Sequence, residues 1–132
     1  MGEALILETT FLVDLEREAR ARAPGRAHAF LEAHPDRPLC ITLTTAGELA
    51  CGPRVGEREG WRRLVSRFRV LAPDGDAAWA YGQTFRYLAD NGLLIGANDL
   101  WIAATALAHG LPVVTRDEAH FRRVPGLEVL GY

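Results

Sequence analysis

The sequence predicts one α/β domain in which a central parallel sheet of four to five short strands is flanked by helices on both sides. Short apolar runs alternate along the chain with longer segments that have helical spacing. Several of these runs are apolar at consecutive positions, which is typical of parallel strands buried on both faces. The 132 residues are the size of one domain, so we expect a single domain over residues 1–132.

The first strand is expected at residues 4–7, a short apolar run. A helix should follow, because Thr9 or Thr10 can cap its N-terminus. This helix should end before Pro24, and a second helix is expected at residues 26–33. The two helices together predict a hairpin between the first and second strands.

The second strand is expected at residues 39–43. Thr44 and Thr45 then favour the start of a helix, and Gly52 and Pro53 should interrupt it. This segment therefore predicts a strand, a tight junction and a short helix.

The middle of the chain predicts two further helices around a short strand. A strongly charged helix is expected at residues 57–67 and a strand at 69–71. A longer helix is expected at residues 76–89, with three large apolar side chains as its core anchors: Trp79, Phe85 and Leu88. Trp101 has similar helical spacing, and we expect Trp79 and Trp101 to pack in the core or in a dimer interface.

The last third has the clearest helix boundaries. Asn98 is a favoured N-cap for a helix over residues 99–109, and Gly110 stands where a helix usually stops. Strands are expected at residues 112–115 and 127–130.

The composition is that of a soluble globular protein, with 48% hydrophobic and 24% charged residues. No apolar run approaches the ~18 residues of a membrane-spanning helix, and the N-terminus does not read as a signal peptide. We therefore expect a cytoplasmic protein with no membrane partner. Cys40 and Cys51 lack the spacing of a metal-binding pair, and both are expected to be buried.

The basic residues are all arginine, although the net charge is −2. They cluster in three segments, at residues 17–26, 54–69 and 116–123. Arginine suits bidentate contacts with phosphate, but clusters of this kind also occur on ordinary solvated helix faces. They indicate nucleic acid only if a chemical site lies beside them.

Four acidic residues follow or flank the predicted strands. Glu8 comes directly after the first strand, Glu48 is expected in the first turn of the helix after the second, and Asp117 comes two residues after the strand ending at Thr115. Asp99 is expected in the first turn of its helix, where the helix dipole favours a carboxylate. Ligands of parallel sheets bind outside the carboxyl ends of the strands, so these acids are candidates for one site.

A cluster of four carboxylates needs a cation. Two like charges ~4 Å apart repel by roughly 4 kcal/mol at an effective dielectric constant of 20. Ligation by oxygen atoms favours Mg²⁺ or Mn²⁺ over zinc, and such ions suit the hydrolysis of phosphodiesters. Each acid taken singly could instead be a helix-end charge, a solvated helix residue or a turn former.

Four segments carry a family resemblance: LILETTFLVDL (5–15), TLTTAGELACG (42–52), NDLWIAATA (98–106) and VVTRDEAHFRRVPGL (113–127). In this order and at these intervals they resemble the PIN-domain ribonucleases, and among them the VapC-type toxins of bacterial toxin–antitoxin pairs. The resemblance covers nearly the whole chain and implies a PIN-like fold.

The resemblance also implies a Mg²⁺- or Mn²⁺-dependent endoribonuclease that forms a homodimer and is inhibited by a small antitoxin lying over the acids. It implies that Glu48, Asp99 and Asp117 bind metal or position the attacking water, and that Thr9 and Thr115 support them. The role of His120 is left open, because the family often has an acid there. Arg116, inside the fourth segment, is a candidate for contact with RNA phosphate; otherwise it forms a surface ion pair.

Glu8 departs from the family pattern, which has Asp after the first strand. Glutamate keeps the charge and the ligating oxygens but is one methylene longer, and a misplacement of ~1 Å can cost ~100-fold in rate. Three readings stay open: the site has adjusted to Glu8, its activity is weak, or the domain binds RNA or its partner without cutting. A phosphatase of the haloacid-dehalogenase kind is a disfavoured alternative, because the residues after the first strand lack its D-x-D pattern.

Overall fold

The computed structural model describes residues 2–52 and 57–132 and has the predicted fold. The strands are β1 (Leu5–Leu7), β2 (Leu39–Thr42), β3 (Arg69–Leu71), β4 (Val113–Val114) and β5 (Val129–Leu130). The helices are α1 (Thr9–Ala21), α2 (Arg26–Ala33), α3 (Leu43–Leu49), α4 (Arg58–Val65), α5 (Gly75–Asp90), α6 (Ala97–His109) and α7 (Glu118–Phe121). The predicted break at Pro53 and the arginine at position 54 lie outside the described residues.

The five strands form one parallel sheet in the order β3-β2-β1-β4-β5. Strand β1 lies at the centre, with Ile6 opposite Cys40 on one side and Val113 on the other. The chain moves outward from β1 in one direction through β2 and β3, and in the other through β4 and β5. The carboxyl ends of β1 and β4 thus form a topological switch point, where open parallel sheets bind their ligands.

Helices cover both faces of the sheet, as predicted. Ile6 and Val113 face one core cluster together with residues of α5, α6 and α7. Leu5 and Leu7 face the other, which contains Phe11 of α1 and residues of α2 and α4. Alternate residues of β1 therefore enter opposite cores, which explains why the strand is apolar at every position.

Two helix starts differ from the prediction. The side chain of Glu8, rather than Thr9 or Thr10, caps α1 and accepts a hydrogen bond from the backbone N–H of Thr10. Thr42 caps α3, so this helix begins before Thr44, and Glu48 falls in its last turn instead of its first. In both cases the cap is a buried polar residue at the carboxyl end of a strand: Glu8 directly follows β1, and Thr42 is the last residue of β2.

Helix α6 begins two residues earlier than predicted. Gly96 is its N-cap, and Asn98 lies inside the helix with its amide directed at Glu48. At the other end Gly110 stops the helix in the left-handed conformation (φ 64°), as predicted. Asp99 stays in the first turn, so its placement does not depend on the corrected cap.

The prediction for the anchors of α5 was wrong for the two aromatic residues. Trp79 is 72% exposed and Phe85 is also exposed, whereas Leu88 is fully buried as expected. Trp101 packs its ring against Tyr81 at a centroid distance of 4.3 Å. The helix thus packs through smaller residues, including Ala77 and Thr84, and Trp79 is not a core residue.

The two cysteines differ in exposure. Cys40 is buried on β2, where burial raises the pKa of its thiol, but Cys51 is exposed beyond the end of α3. The expectation of two buried cysteines was therefore wrong for Cys51. Within the described residues, none of the helices is long and apolar enough to cross a membrane.

Candidate metal centre

The structure brings Asp99, Asp117 and His120 together at the switch point. One ligand atom from each of these side chains lies within 4.8 Å of the other two. Asp99 is held in the first turn of α6, Asp117 follows β4, and His120 lies in the short helix α7. His120, whose role the sequence left open, thus lies among the acids.

The imidazole of His120 faces both carboxylates. Its Nδ1 lies 2.8 Å from Oδ2 of Asp117 and 3.9 Å from Oδ2 of Asp99. This nitrogen is inaccessible to solvent, yet within the described part of the chain it has no partner in hydrogen-bond geometry. When it is unprotonated, a ring nitrogen in this position has a lone pair that can bind a cation together with the two carboxylates that it faces.

Glu8 lies behind this group and is only 3% exposed. Its Oε1 accepts hydrogen bonds from the hydroxyls of Thr10 (2.9 Å) and Thr115 (2.5 Å), and its Oε2 accepts one from the backbone N–H of Thr10 (2.9 Å). Thr115 Oγ1 in turn accepts from the backbone N–H of Asp117 at 2.9 Å. A continuous set of hydrogen bonds through Thr115 therefore links Glu8 to the backbone of Asp117.

Glu48 approaches the site from the other side. Its Oε1 accepts a 2.6 Å hydrogen bond from Thr9, whose Oγ1 also lies 3.0 Å from that of Thr45. Its Oε2 accepts a longer bond, 3.5 Å, from the amide of Asn98. The side chain is thus fixed by two neighbouring helices, α1 and α6.

The electrostatics of Asp99 report how close the acids are. Burial, and then the charges of Glu8, Glu48 and Asp117, raise the pKa of Asp99 to about 6, while His120 acts in the opposite direction. The four predicted acids therefore share one electrostatic environment. Glu8 and Glu48 are nevertheless outside the set of three side chains whose ligand atoms lie mutually close.

Arg116 lies beside the site but is engaged elsewhere. Its guanidinium NH1 is 2.7 Å from Oδ1 of Asp14, and its backbone N–H donates to Thr10 Oγ1. Asp14 also pairs with Arg17 and accepts a hydrogen bond from the hydroxyl of Tyr132. The positive charge of Arg116 is thus directed at Asp14 rather than at Asp99 or Asp117.

Two contributors were missed in the sequence. Thr10 holds Glu8 through both its hydroxyl and its backbone, and its position two residues after an N-cap was an available signal. The contact between Asp14 and Tyr132 spans 118 residues, and no local pattern could have indicated it. None of these three residues belongs to the group of ligand atoms.

Comparison with known proteins identifies the same fold and sequence pattern. A family model described as PIN domain matches residues 5–127. A VapC ribonuclease of Sinorhizobium fredii is 30% identical over 139 residues, with 96% of each chain covered. A tRNA(fMet)-specific endonuclease VapC of Salmonella typhimurium is 36% identical over 99 residues, which cover 69% of this chain and 73% of the relative. The solved structure of DNA-bound VapBC from Salmonella typhimurium superposes with a TM-score of 0.80 at 28% identity, covering 98% of both chains.

Proposed function

The chain belongs to the PIN-domain family, and from this premise we propose that it is the VapC-type toxin of a toxin–antitoxin pair, an endoribonuclease that hydrolyses RNA phosphodiesters with a bound divalent metal. The observation that carries the proposal is the group formed by Asp99, Asp117 and His120 at the carboxyl ends of β1 and β4. The relatives are named ribonucleases, so the alternative of a domain that binds without cutting is not favoured.

The residues present fit a divalent cation. Asp99 and Asp117 offer carboxylate oxygens and His120 offers a buried nitrogen without a hydrogen-bond partner among the described residues. Glu8 and Glu48 add negative charge around them and complete the four-carboxylate site. Mg²⁺ and Mn²⁺ are the ions that this oxygen-rich set favours. When bound, such an ion polarises a phosphoryl oxygen and lowers the pKa of bound water.

The protein's own side chains supply position and charge. Thr9 orients Glu48, whose free lone pairs can align an attacking water molecule. Thr10 and Thr115 hold Glu8 in place, so its longer side chain is accommodated rather than left mobile. Arg116 is a candidate for a phosphate contact, which it would make by exchanging its ion pair with Asp14 for one with RNA.

The partners follow from the same relatives. The structural neighbour from Salmonella typhimurium is a complex of a VapB and a VapC chain, and we propose that this chain also pairs with a small antitoxin that covers the acidic site. We further propose a homodimer, a single domain over residues 1–132 and a cytoplasmic location, where RNA is available.

RNA cleavage tests the proposal. Purified chain, freed of antitoxin, should cleave total tRNA or single-stranded RNA in Mg²⁺ or Mn²⁺ but not in EDTA. Asp99→Asn should lower the rate at least ~1,000-fold, because it removes a ligating charge at the reacting phosphate. Asp76→Asn is the matched control, since Asp76 also lies in the first turn of a helix but outside the site. Cleavage in EDTA, or cleavage that survives Asp99→Asn, would contradict the mechanism.

A further inference from the structure

A groove of about 360 Å³ adjoins the metal centre and plays no part in the chemistry described so far. It is lined by residues of α3 and its C-terminal extension, by the segment before α5 and by the first turn of α6: Leu43, Thr44, Gly47, Glu48, Cys51, Pro73 and Asn98. We propose, on the basis of the proposed function, that this groove receives one unpaired nucleobase of the RNA next to the phosphate that is cut.

The groove is continuous with the metal centre. Glu48 lines it, and Asn98 precedes Asp99 directly. The Asn98 amide and the Glu48 carboxylate meet at 3.5 Å, at the boundary between the groove and the acids. A nucleotide whose phosphate lies at Asp99 and Asp117 therefore has its neighbouring base within reach of the groove.

The charge of the groove selects the base rather than the backbone. Among the described residues that line it, Glu48 is the charged one and none is basic. A second phosphate in the groove would be repelled by Glu48, whereas an uncharged base would not. The volume lies at the lower end of the ~300–1,000 Å³ of small-molecule sites, which suits one nucleoside rather than a stack of bases.

The walls have the chemistry of a base-stacking site. Leu43 is 52% exposed despite its apolar side chain, and Pro73 is also exposed. Gly47 keeps the wall of α3 low: a Cβ at this position would meet nothing within 4 Å. The Thr44 hydroxyl and the Asn98 amide can form hydrogen bonds with the edge of a base. An apolar peptide side chain in the groove would leave these two polar groups without partners.

Cys51 provides a probe for occupancy that does not depend on catalysis. It lines the groove and is exposed, whereas Cys40, the other cysteine, is buried, so a maleimide should label Cys51 selectively. Labelling is measured in Ca²⁺, which binds carboxylates and keeps cleavage slow, with and without a mixed-sequence RNA decamer. An abasic decamer of the same length carries the same phosphates without bases, and fluorescence anisotropy reports the binding of both.

We expect the mixed-sequence decamer to slow the labelling of Cys51 at least about fivefold, and the abasic decamer to bind without slowing it. Equal protection by the two decamers would overturn the proposal, as would RNA binding that leaves Cys51 unprotected. Protection in the purified toxin–antitoxin complex but not by RNA would assign the groove to the antitoxin instead. If wild-type chain binds neither decamer, the proposed function fails as well, which separates the two failures.

Filling the groove provides the second measurement. Gly47→Leu places a side chain in the open space, and leucine is a better helix former than glycine, so the variant should fold. We expect it to weaken binding of the mixed-sequence decamer about 5- to 100-fold while Mn²⁺ affinity is unchanged. Gly82→Leu makes the same change on the exposed face of α5, outside the groove, and should bind RNA like wild type. Wild-type decamer affinity in Gly47→Leu would overturn the proposal.

Discussion

Two buried or half-buried carboxylates of this chain, Glu18 and Asp99, have opposite electrostatic surroundings. Glu18 lies in α1 and accepts hydrogen bonds from the start of α2: from the backbone N–H groups of Gly25, Ala27 and His28 and from the His28 ring. Burial alone would raise its pKa, but these hydrogen bonds together lower the pKa of Glu18 to about 2. Asp99 lies among other acids, and burial together with their charges raises its pKa to about 6.

The difference shows at which of the two carboxylates the protein itself supplies the groups that stabilise the negative charge. At Glu18 the protein supplies every donor that the charge needs, including the N-terminus of α2, whose N-cap Gly25 has no side chain to do so. At Asp99 the protein supplies further negative charge. The hydrogen bonds of Glu18 therefore stabilise the α1–α2 hairpin. The acids around Asp99, which we call the acidic region, need a cation to balance their negative charge.

The largest effect on stability should come from removing the Glu18 carboxylate. Glu18→Ala leaves three backbone N–H groups and His28 without their acceptor, and we expect the free energy of unfolding at pH 7 to fall by about 2–3 kcal/mol. Urea unfolding measures this. Glu16→Ala, which removes an exposed ion pair with Arg67 on the same helix, should cost less than about 1 kcal/mol.

The pH dependence follows from the lowered pKa of Glu18. Its stabilisation is fully present above the unfolded pKa of about 4.5 and is lost as the pH falls toward 2. The difference between wild type and Glu18→Ala should therefore shrink over this range. A difference that stays constant between pH 5 and 2 would show that Glu18 acts through packing alone.

Glu8 tests whether hydrogen bonds from the protein can hold a carboxylate of the acidic region in its working position. Three donors from Thr10 and Thr115 already hold it, so Glu8→Asp should withdraw an oxygen from Thr115 and lower RNA cleavage about 10- to 100-fold. Stability should change by less than about 1 kcal/mol, because aspartate is also a good N-cap. Glu16→Asp on the same helix is the control. A gain in activity would mean instead that Glu8 restrains the enzyme.

Asp99→Asn should raise the stability of the metal-free chain, by less than Glu18→Ala lowers it. Because the pKa of Asp99 is higher in the folded chain than in the unfolded one, the metal-free protein loses stability as the pH rises from about 4 through 6. The side chain is 28% exposed, and screening limits the loss to about 1–2 kcal/mol.

Thermal unfolding in EDTA measures this difference. Asp99→Asn should melt higher than wild type at pH 7.5 and alike at pH 4, whereas Asp76→Asn should melt like wild type at both. If Asp99→Asn were instead destabilised at pH 7.5, the charge of Asp99 would stabilise the fold as that of Glu18 does, which would contradict the account.

The sequence predicted what depends on local pattern. Alternation of apolar runs and helical segments predicted the parallel sheet with two helical layers, and the position of Glu8, Asp99 and Asp117 relative to strands and helix starts predicted their convergence. The misplaced cap at Asn98 and the wrong anchor at Trp79 share one cause. Which of several competent residues caps or packs is decided by tertiary neighbours, here Glu48 for Asn98.

Other features had no local signal. Glu18 and its partners lie 7 to 10 residues apart across a turn, so its low pKa depends on how α1 and α2 pack. The approach of His120 to Asp99 joins two helices, α6 and α7, of which the second was not predicted at all. The exposure of Cys51 likewise depends on the groove beside α3, which exists only once the chain is folded.

The central claim is that the acids around Asp99 bind a divalent metal ion. The binding of Mn²⁺, measured by calorimetry, tests this claim most directly. Metal-free wild type and Asp76→Asn should bind Mn²⁺ with the same affinity at pH 7.5 and melt at a higher temperature when it is present. Asp99→Asn, folded as judged by circular dichroism, should bind at least about tenfold more weakly and gain little in melting temperature. Equal Mn²⁺ affinity in wild type and Asp99→Asn would contradict the account.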